Sequence, residues 1–419
     1  MAILVAGGPA PGINSVIGAA TIRAKLSGVE VLGIQDGFEW IMRGDVNHVV
    51  PLTIDTVSRI HFRGGSYIGI SRANPTKDAK HLDAVLIALK RLGVDRVITI
   101  GGDDTAFSAM KLAEYAAGHL KVVHVPKTID NDLFLPEGTP TFGFQTARHV
   151  GVGIVKDLLV DARTTSRWYF IVTMGRKAGH LALGIGKSVG ATVTLIPEEF
   201  PGPRVGLDVI VDTLLGSILK RLSNGRRDGI AILAEGLVEK LDPAELAKLG
   251  DVERDAHDNL RIAEINFADI VKARVLARLR ELALGATIVT KNLGYELRCT
   301  DPIPFDMEYT RDLGYCAAKY LLEGGSGAMV TIQQGCFRPI PLKELLDPQT
   351  GKTRVRMVDV ATESYRIARR YMLRLRRDDF EDEKELSKLA VTAGMTMEQF
   401  RERFGYLVED EPPPIQFLR

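Results

Sequence analysis

Short apolar, β-branched runs recur along the chain, and helical patterns follow them. The runs at 3–6, 29–34, 97–100, 122–125, 168–173, 191–196, 229–234, 287–290 and 328–333 read as strands. Apolar positions at helical spacing fill 13–26, 82–92, 142–159, 205–222 and 312–322. Strands that alternate with helices predict an α/β fold with mostly parallel sheets and right-handed crossovers. The alternation is long enough for two such sheets. Residues 242–284 are charged and helical and read as an insertion. The tail from Val358 onward is helical with alternating charge, and is expected to pack across the surface.

The loops after two central strands hold the acids. Val97-Ile98-Thr99-Ile100 breaks at Gly101-Gly102 into Asp103-Asp104-Thr105, and Val122–Val125 breaks at Pro126 into Lys127-Thr128-Ile129-Asp130-Asn131-Asp132. In open α/β sheets ligands bind beyond the carboxyl ends of the strands. If these two strands are parallel neighbours, Asp103, Asp104, Asp130 and Asp132 converge with Lys127 on one crevice. Carboxylates share a small site only when something positive joins them, and Mg²⁺ with a phosphate substrate is the natural candidate. An Asp103 side chain capping the following helix would add about 1 kcal/mol. Gly7-Gly8-Pro9-Ala10-Pro11-Gly12 lies between strand and helix and suits a phosphate cradle, with backbone N–H groups and a helix N-terminus facing the anion. Its spacing is neither a dinucleotide fingerprint nor a Walker A, and a plain tight turn reads it equally well. A second glycine-rich loop, 64–75, carries Arg72, either a phosphate contact or a solvated surface charge.

Composition narrows the classes. A chain of 419 residues suggests two or three domains, and its 26% charged and 45% hydrophobic residues are ordinary for a globular protein. The net charge of +1 argues against a nucleic-acid or membrane binder, while leaving room for a local basic pocket. Three widely spaced cysteines fit neither a disulfide framework nor a zinc cluster, and suggest reduced thiols in the cytoplasm. No run approaches membrane-spanning length, and residues 1–6 read as a strand rather than a signal peptide.

Four stretches together resemble the phosphofructokinases: Gly7-Gly8-x-Ala10-Pro11-Gly12-x-Asn14, Gly101-Gly102-Asp103-Asp104-Thr105, Pro126–Asp132, and Met174-Gly175-Arg176. Their order and separation match over about residues 1–340. Asp104 and Lys127 resemble the pyrophosphate-dependent branch, since the ATP enzymes typically have Gly at both positions. A carboxylate at Asp104 would repel an ATP α-phosphate and fill its space. An ammonium at Lys127 could hold the terminal phosphates of pyrophosphate and steady the leaving group. The plainer alternative is a surface Lys127–Asp104 ion pair of little worth.

The resemblance implies two Rossmann-like domains with the active site in the cleft between them. The expected division is 1–140 for pyrophosphate and Mg²⁺, with 355–419 packing back on it, and 141–345 for the sugar phosphate, with the insertion 242–284. It implies reversible phosphoryl transfer from pyrophosphate to the C1 hydroxyl of fructose 6-phosphate, serving glycolysis and gluconeogenesis. Asp130 would be the general base, Thr128 would bond the transferring group, and Asp103 would anchor Mg²⁺. Gly7, Gly8, Arg72 and Lys127 would take pyrophosphate, with Asp104 and Arg176 also in the catalytic set. Thr128, Ile129, Asp130, Met174, Gly175, Arg176, Glu235, Tyr295 and Arg298 would surround the sugar phosphate. The family commonly has His at the position of Tyr295. Arg167 matches a family arginine that reaches across to the neighbouring subunit's site and would bind the substrate there, implying a homodimer or homotetramer. The alternatives are an ATP-dependent phosphofructokinase, another kinase with a Gly-Gly-Asp loop such as a NAD or lipid kinase, and a silent regulatory subunit.

Overall fold

The computed structural model describes residues 1–242, 245, 265–409 and 411. The chain divides into two units, which among the described residues are Met1–Val150 with Gly294–Met357, and 151–242 with 245, 265–293, 358–409 and 411.

The first unit is built on one large sheet. Strands β1 (Ala2–Val5), β2 (Val31–Ile34), β3 (Val49–Leu52), β4 (Arg96–Gly101), β5 (Lys121–Thr128), β11 (Ala328–Met329) and β14 (Ile340–Pro341) lie in the order β14-β11-β5-β4-β1-β2-β3. β6 (Phe142–Gly143) pairs with β5. Only β3 and β14 run antiparallel to their neighbours, at the two edges. The central strands are apolar throughout because both faces are covered. Ile3 and Val5 pack with the helices Ile13–Lys25 and Pro304–Leu322. Ala2 and Leu4 point the other way, toward the helices Ala79–Arg91 and Asp103–Tyr115.

β1 has β2 on one side and β4 on the other, so the strand order reverses between β1 and β4. The carboxyl ends of these strands carry the 6–12 and 101–105 loops, where such sheets open a crevice. Asp306 fixes a neighbouring loop. It is fully buried and accepts hydrogen bonds from Gly143 N (3.0 Å), Thr146 N (2.8 Å) and the Thr146 hydroxyl (2.6 Å). The acid thereby satisfies open donors at the start of the helix Phe144–Thr165 and matches its dipole.

The second unit has a four-stranded, fully parallel sheet: β7 (Trp168–Thr173), β8 (Val193–Leu195), β9 (Gly229–Ala234) and β10 (Ile288–Leu293), in the order β10-β7-β9-β8. Its order reverses between β7 and β9.

The division departs from the expected one in two places. Residues 294–357 belong to the first unit, since β11 pairs with β5 and the helix Pro304–Leu322 covers the first sheet. Residues 358–409 belong to the second unit, where packing on the first was expected. Leu373 N donates to Thr192 O, Lys220 pairs with Asp379, and Arg369 and Arg374 both meet the buried Glu199 carboxylate. The tail thus carries buried ion pairs where a surface strip was expected. Of the expected insertion, 243–244 and 246–264 lie outside the described residues, and Phe267–Glu281 is a helix. The 328–333 run is also broken. β11 ends at Met329, and β12 (Ile332–Gln333) turns through Gln334 and Gly335, both at positive φ, into β13 (Cys336–Phe337).

Candidate active site

In the first unit three strand ends meet. β4 and β5 are parallel neighbours, the condition set for their loops to meet, so Gly101–Thr105 and Lys127–Asp132 emerge side by side. β1 adds the glycine loop, and Gly7 N donates to Ser71 O (2.9 Å), which brings the Arg72 segment alongside.

Lys127 is the centre of this arrangement. It is 3% exposed, and its ammonium donates to the Gly8 carbonyl. It is therefore no surface ion-pair partner. A Cβ at Gly7, whose φ is +89°, would lie 3.7 Å from the Lys127 Nζ and 3.7 Å from the Thr105 hydroxyl. At Gly8 it would lie 3.4 Å from the Arg298 guanidinium carbon. The backbone of the glycine loop is thus walled by Lys127, Thr105 and Arg298. Burial, foremost, and then the Arg298 cation push the Lys127 ammonium down to about 7, with Arg72 acting in the same sense and Asp130 and Asp132 opposing. Three cations and two carboxylates stand within electrostatic reach of one another there.

The acids occupy defined places. Asp103 and Asp104 form the first turn of the helix Asp103–Tyr115. Gly102 is the cap residue and no side chain caps this helix, so Asp103 does not have the expected capping role. The Thr128 hydroxyl accepts from Asp130 N (3.0 Å), curling the loop after β5, and can still donate. Ile129 is buried, and Asn131 sits in the left-handed region at φ 57°. Below the crevice His124 is fully buried, 2.9 Å from the Thr99 hydroxyl and 3.1 Å from Gly101 O. Burial drives its imidazole down to about 3, so it is neutral.

Arg298 and Tyr295 were expected with the sugar-phosphate residues. Both lie in the first unit, where Arg298 flanks Gly8 and its guanidinium stands 5.1 Å from the Tyr295 ring centroid. Tyr295 is 64% exposed. Sequence reasoning missed what holds this segment: Gly64 N donates to Asp301 Oδ1 (2.8 Å), and Asn14 on the first helix donates to Arg63 O and Gly64 O. Asn14 stood in the quoted glycine stretch, which was the available signal.

In the second unit the ends of β7 and β9 form a second polar turn. Glu235, 6% exposed, accepts from Gly175 N (3.0 Å), and Gly175 has φ +150°, a backbone that favours glycine. Met174 is buried beside it, its N–H bonded to Leu293 O (2.8 Å), and Arg176 follows, half-buried. Arg167 is not part of this group. It precedes β7 at the opposite end of the strand, with Nε 3.8 Å from Asp161 Oδ2, about 20 Å of extended chain from Met174.

The phosphofructokinase family model matches residues 1–321. A pyrophosphate–fructose 6-phosphate 1-phosphotransferase of Thermotoga maritima is 51% identical over 414 residues, covering 98% of this chain and 99% of that protein. One of Naegleria fowleri is 49% identical over 418 residues, covering 98% and 96%. A solved pyrophosphate-dependent phosphofructokinase from Nitrosospira multiformis superposes with a TM-score of 0.67 at 17% identity, covering 100% of this chain and 94% of that one, a likeness of fold alone.

Proposed function

The chain belongs to the phosphofructokinase family, and from that premise we propose that it transfers a phosphoryl group from pyrophosphate to the C1 hydroxyl of fructose 6-phosphate. The products are fructose 1,6-bisphosphate and phosphate, and the reaction runs in both directions. The observation that carries the donor assignment is Lys127. It is buried against Gly8 O at the glycine loop, where the ATP enzymes have no side chain, and Arg72 and Arg298 stand nearby. A compact polyanion suits that cluster, and Asp104 opposes the longer nucleotide.

The Asp130 carboxylate takes the C1 hydroxyl proton as that oxygen bonds to phosphorus. The P–O bond of pyrophosphate breaks, and the charge on the leaving phosphate is met by Lys127, Arg72, Arg298 and the backbone of Gly7 and Gly8. On the second unit, Arg176, with Met174 and Gly175 shaping its turn, takes the sugar phosphate, and Glu235 takes hydroxyls. Tyr295 contributes its exposed ring beside Arg298.

The donor set fits Mg²⁺ shared with the substrate. Among the described residues no three His, Cys, Asp or Glu side chains cluster as a protein-only cage, and Mg²⁺ keeps waters and phosphate oxygens around one or two carboxylates. Asp103 belongs to the helical turn whose Thr105 faces Gly7, so it would hold the ion. The bound ion would neutralise phosphate charge. Arg167, at the opposite end of β7 from the Met174–Arg176 turn, serves a neighbouring copy, which makes the active form a homodimer or homotetramer. No described helix is long and apolar enough to cross a membrane. The free thiols Cys299, Cys316 and Cys336 fit the reducing cytoplasm.

Initial rates with fructose 6-phosphate and Mg²⁺, comparing pyrophosphate with ATP, test the reading in wild type and Asp130→Ala. Turnover with pyrophosphate alone, lost in the variant, supports donor and base together. Turnover with ATP alone removes the donor assignment.

A further inference from the structure

We propose that Arg356 is a positioning residue for the loop that carries Asp130, acting through Asn131. The proposal rests on the role given to Asp130 above. Arg356 lies beyond residues 1–321, the span matched by the family model, and just before the charged tail that begins at Val358.

The structure gives its guanidinium three acceptors on one loop. Nε donates to Asn131 O (3.0 Å), Nη1 to Thr139 O (2.7 Å) and Nη2 to the Asn131 side-chain oxygen. Its own backbone N–H donates to Asp132 O (2.7 Å), and the adjacent Val355 bridges Leu133 antiparallel. The same Asn131 oxygen accepts from Thr141 N (3.1 Å), and the Thr141 hydroxyl donates to Thr128 O (2.7 Å). Both ends of the 128–141 loop are thereby tied to one planar cation.

The tie selects one arrangement, because Asn131 holds a left-handed backbone, φ 57°, a conformation asparagine tolerates but does not hold without partners. That residue directly follows Asp130. The fork geometry of arginine satisfies three fixed acceptors at once, which lysine cannot do. Without it the Asn131 and Thr139 carbonyls lose a donor and the loop relaxes. Asp130 then swings off line, while Gly7, Gly8, Arg72 and Lys127 keep pyrophosphate.

The test is steady-state kinetics and amide exchange on the full chain. Arg356→Ala is expected to lower kcat on the order of 10²-fold, the usual effect of misplacing a reacting group by about 1 Å. KM for pyrophosphate should stay within about twofold, because only the turnover step is touched. Exchange at the Thr141 N–H should quicken while the β4 and β5 amides stay protected. Arg356→Lys should recover part of kcat. In the double variant with Asp130→Ala, kcat should fall no further than in Asp130→Ala alone. If Arg356→Ala does not fold, Arg356→Lys and Arg356→Gln carry the same comparison. Unchanged kcat, losses that multiply in the double variant, or exchange that quickens evenly across the sheet would overturn the proposal. Wild-type rates in Asp130→Ala would instead remove the base assignment. The split between kcat and KM in Arg356→Ala would then still decide whether this arginine governs turnover.

Discussion

Raising the pH from about 6 to about 9 takes Lys127 through its titration, and pyrophosphate binding should follow. Burial and the Arg298 cation hold this lysine at about 7 instead of 10.5. At about 1.4 kcal/mol per pKa unit, the folded protein disfavours the ammonium by about 5 kcal/mol. A bound polyanion reverses that balance and draws the proton on. Binding above pH 7 is therefore coupled to uptake of close to one proton, and affinity falls roughly tenfold per pH unit there. Calorimetry in buffers of different ionisation enthalpy reads the uptake directly. Subtracting the same titration of Lys127→Met removes the protons exchanged by pyrophosphate itself. Stability carries the same signature. Below about pH 7 the lysine is charged in both states and its penalty is complete. From about 7 to 10.5 the unfolded chain holds the extra proton, so this residue's contribution to stability rises with pH across that window. Proton uptake that is the same in wild type and Lys127→Met would refute the reasoning.

Replacing Asp104 and Lys127 together with Gly should cut kcat/KM for pyrophosphate at least about 100-fold, the scale of losing a charge stabiliser, and give measurable turnover with ATP; rates that stay specific for pyrophosphate would sink the donor argument. Gly64→Ala places a Cβ 2.1 Å from the Cys299 carbonyl oxygen, so the 299–301 segment must move. A loss of about 1–3 kcal/mol and a raised KM for pyrophosphate, through Arg298, are expected from thermal melts and kinetics. Asp306→Ala orphans three donors, from Gly143 and Thr146, and should cost roughly 3 kcal/mol or more in a denaturant titration. A midpoint equal to wild type would show that those donors find other partners.

Much of the fold was legible because buried parallel strands announce themselves as unbroken apolar runs, and β1, β4, β5, β7 and β9 all do so. The edges were less so. β3 carries Pro51, which suits an edge strand and weakens the pattern, and β11 has only two ladder residues. The side-by-side emergence of the Gly101–Thr105 and Lys127–Asp132 loops followed from strand ends, once β4 and β5 proved to be parallel neighbours. The position of Arg298 did not, since four residues of helix, Tyr295–Arg298, turn it onto Gly8, a tertiary contact no local pattern encodes. Arg356 was invisible for a related reason: what distinguishes it from a solvated arginine is three acceptors at positions 131 and 139. The tail misled because alternating charge usually marks an exposed face, whereas Glu199, Arg369 and Arg374 bury theirs against one another.

The first sheet is stitched from distant parts of the chain, and this bears on how it is made. β5 leaves the ribosome about 200 residues before β11, its partner along Val123 and His124. At ~5–20 residues per second, that flank waits on the order of 10–40 s without its neighbour. During that interval an apolar strand offers unpaired backbone groups to any passing chain. The nascent protein is therefore most vulnerable while the residues of its second sheet are being synthesised. A chain that stalls there should be captured by chaperones more readily than one released after Met357.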